Sequence, residues 1–123
     1  ADYVEGMGNW THIATVRPPN YRLNTLNSNT LMKRLHSHKF IHKVFWTLET
    51  DTSRMNHLHL LLEYIDMDTD MKAIRGRLNN MLGAKYNSQL VGYVDKLDQS
   101  KVRSAINYTC KYVNVNNAYG FEL

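Results

Sequence analysis

Two histidines separated by a single residue, His57-Leu58-His59, stand in the apolar run from His57 to Tyr64. Residues two apart on a β-strand point to the same face, so this spacing can offer two imidazoles to one metal ion while Leu58 turns the other way, toward covering helices. The ordinary alternative is a pair of partly exposed histidines on an amphipathic strand, and the spacing alone does not separate the two. Seven residues separate Glu49 from this run, and Glu49 stands at the end of a second strand-like segment. A hairpin of that length can bring its carboxylate beside the rings, and two imidazoles with one carboxylate make a sensible divalent-metal donor set. A third group, Tyr108-Thr109-Cys110-Lys111-Tyr112, places Tyr108, Lys111 and Tyr112 on one side of a helix by its three- and four-residue spacings. A phenol is a poor nucleophile near neutral pH, because it ionises near pH 10, so its attack on a phosphodiester requires nearby positive charge and a polarised phosphate. Lys111 and a metal ion would supply both. Two tyrosines packing on a sheet from an ordinary amphipathic helix are the alternative.

These groups need elements to hold them. Trp10 to Val16 reads as a strand that Arg17-Pro18-Pro19-Asn20 stops, since proline cannot continue a sheet ladder. Ser28 or Asn29 is positioned to cap a helix running to Ser37, with Leu31, Met32 and Leu35 as its apolar stripe. Val44–Glu49 and His57–Tyr64 read as strands joined by a polar loop, and an antiparallel hairpin is expected. From Asp66 to Leu82, Met67, Met71, Ile74, Leu78, Met81 and Leu82 recur at helical spacing and Gly83 follows as a stop. Gln89 to Leu97 predicts a fourth strand, Ser100 a cap for a last helix through Val113, and the Asn-rich remainder a loop. The order β-α-β-β-α-β-α predicts an α+β, split-βαβ (ferredoxin/RRM-like) antiparallel sheet of four to five strands. Helices should cover one face, and chemistry is expected on the free face.

At 123 residues, with 43% hydrophobic and 21% charged residues, the chain fits one domain over 1–123 with an ordinary globular core. No apolar run approaches the roughly 20 residues needed to cross a bilayer, and Ala1 to Trp10 lacks the basic-then-apolar pattern of an export signal. A lone Cys110 cannot form an internal disulfide or a cysteine-based zinc site, which suits a reducing, cytoplasmic compartment. The net charge of +4 favours polyanions without choosing among them. No glycine-rich phosphate loop with its lysine is present, which argues against ATPase or helicase activity in this chain.

His57-Leu58-His59-Leu60-Leu61 resembles the His-hydrophobic-His motif of HUH endonucleases, and Tyr108-Thr109-Cys110-Lys111 resembles their Tyr-x-x-Lys motif. Continued through Tyr112-Val113-Asn114, the second motif is closest to the two-tyrosine rolling-circle replication initiators of small single-stranded DNA phages. Ile13 to Pro18 corresponds to a weaker first motif, so the resemblance spans Trp10 to Asn114. It implies the HUH endonuclease fold and site-specific nicking and joining of single-stranded DNA through a 5′-phosphotyrosine. It also implies Mn²⁺ or Mg²⁺ held by Glu49, His57 and His59, with Tyr108 as first nucleophile, Tyr112 as second and Lys111 screening the phosphate. The partners implied are a single-stranded origin, which a hairpin could present, and a host polymerase and helicase in the host-cell cytoplasm. A single-tyrosine transposase, a plasmid relaxase and a non-catalytic single-strand-binding module are competing readings. His12, His36, His38 and His42 match no motif and are expected to be solvated or to contact DNA. His12 is the nearest to the chemistry, because its strand should neighbour the metal strand.

Overall fold

The computed structural model of the chain describes residues 2–17, 23–49, 57–66, 68–83, 91–110 and 119–123. The elements are α1 (Asp2–Met7), β1 (His12–Val16), α2 (Thr25–His36), β2 (Ile41–Glu49), β3 (His57–Tyr64), α3 (Met71–Met81), β4 (Val91–Lys96), α4 (Val102–Cys110) and β5 (Tyr119–Glu122). The strands form one antiparallel sheet in the order β4-β1-β3-β2-β5. The first four have the split-βαβ order, and β5 extends the sheet beyond β2. No described helix is long and apolar enough to cross a membrane.

Local chemistry explains the boundaries. Asn24 accepts from the Asn27 backbone N–H (2.8 Å) and Asn27 returns the favour to Asn24 N–H (2.7 Å). This reciprocal box starts α2 at Thr25, ahead of the expected Ser28 or Asn29, and leaves Ser28 buried inside the helix. Asp70 caps α3 through Ala73 N–H (2.8 Å), so that helix begins at Met71 instead of Asp66. Gly83 closes it at φ +77°, a left-handed conformation that favours glycine. Asp98, not Ser100, caps the last helical segment: its carboxylate accepts from Ser100 N–H and Oγ, and a 3₁₀ turn over Gln99–Lys101 leads into α4.

Helices cover both faces of the sheet, which corrects the expectation of one covered face. Ala14, Val16, Val44, Trp46, Leu48, Leu58, Leu60 and Leu62 form the larger core with Leu31, Met32 and Leu35 of α2 and Ile74 and Leu78 of α3. On the opposite face Phe45 and Leu61 are buried with Val4 of α1, Trp10, Leu97 and Ile106 of α4, and Ile13 and Phe121 pack against them. The physical reason is that the second face is itself half apolar. Each large side chain buried there contributes about 1.5–3 kcal/mol, so a second layer forms over that half. The consecutive Leu60-Leu61-Leu62 carried the signal, because a strand buried on both sides reads as a continuous apolar run.

Two short elements were not legible in the sequence. The six residues of α1 are too few for a periodic stripe, and they are held by Trp10, whose indole N–H donates to the Val4 carbonyl (2.8 Å). Strand β5 follows a polar stretch and pairs with β2 through Phe45↔Phe121 and Trp46↔Gly120. A Cβ at position 120 would stand 2.7 Å from the buried Trp46 ring, so only glycine permits this approach. Gly120→Ala is expected to lower stability by about 1–3 kcal/mol through overpacking, read as a lower urea midpoint with metal affinity retained.

His12 lies on β1 beside β3 as expected, but its side chain faces the larger core. It pairs with Leu62, accepts or shares a hydrogen bond with Thr11 Oγ1 through Nδ1 (2.7 Å), and meets Tyr64 edge-on at 5.5 Å. Its Nε2 has no partner among the described residues. Desolvation, helped by Lys96 and opposed by Asp95, holds its pKa below the ordinary histidine value. The unfolded chain therefore takes up this proton first as pH falls. The contribution of His12 to stability is flat above about pH 6.5 and declines below it until the folded form also protonates. The loss of stability between pH 7 and pH 5, measured by urea unfolding, should be smaller in His12→Phe than in the natural protein.

Candidate metal centre and tyrosine

The β2–β3 register sets Glu49 opposite His57 and Thr47 opposite His59. The two-residue period of the strands then places Glu49, His57 and His59 on one face, the face covered in part by α1 and α4. Leu58, between the histidines, is fully buried on the other side against α2 and α3, as the alternation predicts. Glu49 Oε2 reaches both rings: it pairs with His57 Nε2 and lies 2.8 Å from His59 Nε2. The rings meet edge-to-face at 4.6 Å. One ligand atom from each of the three residues lies within 4.8 Å of the others, a cluster that can hold a metal ion. All three side chains are largely buried. Desolvation lowers the His59 pKa, as do the charges of His57 and Arg17, while the hydrogen bond to Glu49 opposes the shift. Neutral imidazole is the metal-binding form.

Helix α4 brings Tyr108 to this cluster. Ile106 and Thr109 are its inward residues, and Thr47 Oγ1, on the same strand as Glu49, donates to the Thr109 carbonyl (2.8 Å). That bond ties the C-terminal half of the helix to the strand row that carries His59. The Tyr108 ring stands edge-on to His59 at 5.3 Å and 82°, yet the residue is 61% exposed. The ring therefore meets the His59 side of the cluster while much of the residue is open to solvent. Lys111 and Tyr112, the other members of the sequence-identified group, lie outside the described residues, as do Pro18 and the 50–56 connection.

The remaining histidines stand apart. His36 Nε2 is 3.0 Å from the His42 carbonyl, His38 stacks on Phe40, and His42 pairs with Glu63 at the far end of the β2–β3 hairpin. Arg17, within the weaker first motif, follows β1 and acts electrostatically on His59. Two further contributors to the site face escaped the sequence reading. Tyr93 and Asp95 of β4 align with Thr15 and Ile13. Across the sheet the row Tyr93, Thr15, His59, Thr47, Tyr119 lies on one face. The alternation of Tyr93 and Asp95 with Val94 was visible, but nothing local said which face they would join.

Between β1, β4 and α4 runs a cleft of about 570 Å³ that includes His59 and Tyr108 in its lining. No protein-family model, curated protein or solved structure matches this chain, so the functional reading rests on the motif resemblance and on this geometry.

Proposed function

We propose that the chain is a metal-dependent endonuclease that nicks single-stranded DNA and stays covalently attached to the cut 5′ end, as a rolling-circle replication initiator does. The observation that supports it most is the phenol of Tyr108 standing edge-on to His59 within reach of the Glu49-His57-His59 cluster.

In this reading Glu49, His57 and His59 hold Mn²⁺ or Mg²⁺, with manganese the better match to two imidazoles. Such an ion, when bound, withdraws charge from a scissile phosphate and stabilises negative charge developing on its oxygens. Tyr108 Oη attacks phosphorus, its proton passes to solvent at its exposed edge, and the P–O3′ bond breaks. The phosphate is then joined to Tyr108 and the departing 3′ oxygen takes a proton to become a hydroxyl. Reversal of the same step rejoins strands. Lys111 would screen the phosphate, and Tyr112 would serve as the second nucleophile. Exposed Tyr93 and Tyr119 would also suit a non-catalytic single-strand-binding sheet, and a single-tyrosine transposase or relaxase would share the triad.

Incubation with a labelled pool of single-stranded oligonucleotides and Mn²⁺ tests the reading. A covalent protein–DNA band on a denaturing gel is expected, and its disappearance with EDTA. No band under any divalent-metal condition would sink the nickase and leave the binding module.

A further inference from the structure

Beside the proposed nucleophile lies a cleft that the motif resemblance does not assign. Its floor is apolar, with Ile13, Leu97 and Ala105, and Tyr93 and Tyr108 stand among its lining residues. Asp95 and Asp98 are balanced by Lys96 and Lys101, and both carboxylates are already engaged. Asp95 accepts from the Tyr93 hydroxyl (3.0 Å) and from Lys96 N–H (2.8 Å), and Asp98 caps the turn before α4. Among the described residues, the part of the cleft around Tyr93, away from His59 and Tyr108, has balanced charge and an aromatic wall, which suits a phosphate poorly. It suits a flat, weakly polar ring.

The other side of Tyr93 is different. A shallower groove of about 240 Å³ there is lined by Lys72 and Arg75 of α3 with Met71, Gly92 and Val94, and among the described residues no carboxylate lines it. Tyr93 thus divides a charge-balanced cleft from a basic groove. The ladder sharpens its placement: Thr15 pairs with Tyr93 but Val16 pairs with Val91, so Gly92 is an extra residue of a bulge on the edge strand β4. Bulges of this kind re-aim a neighbouring side chain. Tyr93 is 47% exposed while its hydroxyl donates to Asp95, so the ring is tethered at one end and open to solvent. It stands two strand spacings, about 10 Å, from His59 along one cross-sheet row.

We propose that Tyr93 is a stacking platform for one nucleobase of the single strand adjacent to the reacting phosphate, with the base in the charge-balanced cleft and the backbone passing over Lys72 and Arg75. This deepens the nickase reading and rests on it for the identity of the strand. Tyr93 stands about two strand spacings from His59, whereas Tyr108 meets that ring, so Tyr108 remains the proposed nucleophile; burial and the Asp95 carboxylate also raise the Tyr93 pKa.

The test reads binding apart from cleavage: fluorescence anisotropy of a labelled random-sequence single-stranded 12-mer pool with the whole chain in EDTA. Tyr93→Ala should weaken binding by roughly tenfold or more, the usual loss for one base stacked on an aromatic ring. Tyr93→Phe keeps the ring and should bind as the natural protein does. Arg75→Ala should reduce the slope of log affinity against log salt by about 0.7, one backbone contact to a single strand. Irradiation of an iodouracil-substituted pool should crosslink the peptide containing Tyr93. Affinity of Tyr93→Ala within twofold of the natural protein, or crosslinks confined to other peptides, would overturn the proposal. The Mn²⁺ adduct assay keeps the two readings apart. An adduct with Tyr93-independent binding removes the platform and leaves the nickase. Tyr93-dependent binding without any adduct does the reverse, and no binding at all overturns both.

Discussion

Tyr108→Phe is expected to reduce covalent protein–DNA adduct by on the order of 10³-fold or more, since losing a nucleophile removes the bond-forming atom itself. The substitution deletes one oxygen and keeps the ring whose edge-on contact with His59 spans 5.3 Å. Because the residue is 61% exposed, the unfolding temperature and the affinity for Mn²⁺ should be unchanged, which separates lost chemistry from lost structure. The measurement is the yield of adduct on a denaturing gel, with the attachment site mapped by mass spectrometry of the digested product. Undiminished adduct in Tyr108→Phe that vanishes only in the double Tyr108→Phe, Tyr112→Phe protein would transfer the first attack to Tyr112. Undiminished adduct in the double variant would overturn the assignment to these two tyrosines.

Glu49→Gln and His59→Ala should each lower the affinity for Mn²⁺ by at least about 100-fold, a larger effect than the 10- to 100-fold typical of groups that merely orient ligands. Glu49 Oε2 is the atom shared by both imidazoles, so its replacement by an amide removes the one anionic donor while preserving shape. Isothermal titration reads the affinity directly. A second readout needs no DNA: a metal bound only to the folded chain at 100 times its dissociation constant stabilises it by about 2.7 kcal/mol, or roughly 10 °C in unfolding temperature for a domain of this size. That rise should appear in the natural protein and be absent in both variants. Equal thermal shifts in all three proteins would place the metal elsewhere. Adduct formation should fall with metal affinity, and recover in part at high Mn²⁺ for Glu49→Gln, where both imidazoles remain.

Particular residues show how far the sequence reached. His57 and His59 sharing a face, with Leu58 opposite, followed from the two-residue period of a strand. Glu49 joining them needed a hairpin whose register sets it opposite His57. The length of the loop permitted that register. What fixed it was the apolar pairing of Phe45 with Leu61 and Trp46 with Leu60, because a one-residue slip would turn every core side chain to the wrong face. The helix starts were misread where a reciprocal or acidic cap lay a few residues from the expected one, at Asn24 and at Asp98. Several Ser, Asn and Asp residues compete for such positions, and backbone geometry chooses between them.

The sequence by itself determined the donor set and its spacing, the four-strand order of elements, and the tyrosine-bearing helix near the end of the chain. These depend on periods of two and 3.6 residues, which are local. Only the tertiary structure decided that α4 covers the histidine face, that Tyr108 meets His59, that His12 turns away into the larger core, and that Tyr93 shares the cross-sheet row of His59 from two strands away. Those outcomes depend on residues distant in sequence: Val4, Trp10, Leu97 and Ile106 bury the apolar half of the second face with Phe45 and Leu61. Which helix lies over which face is settled by the apolar area that the whole chain removes from water, and no single segment carries that sum.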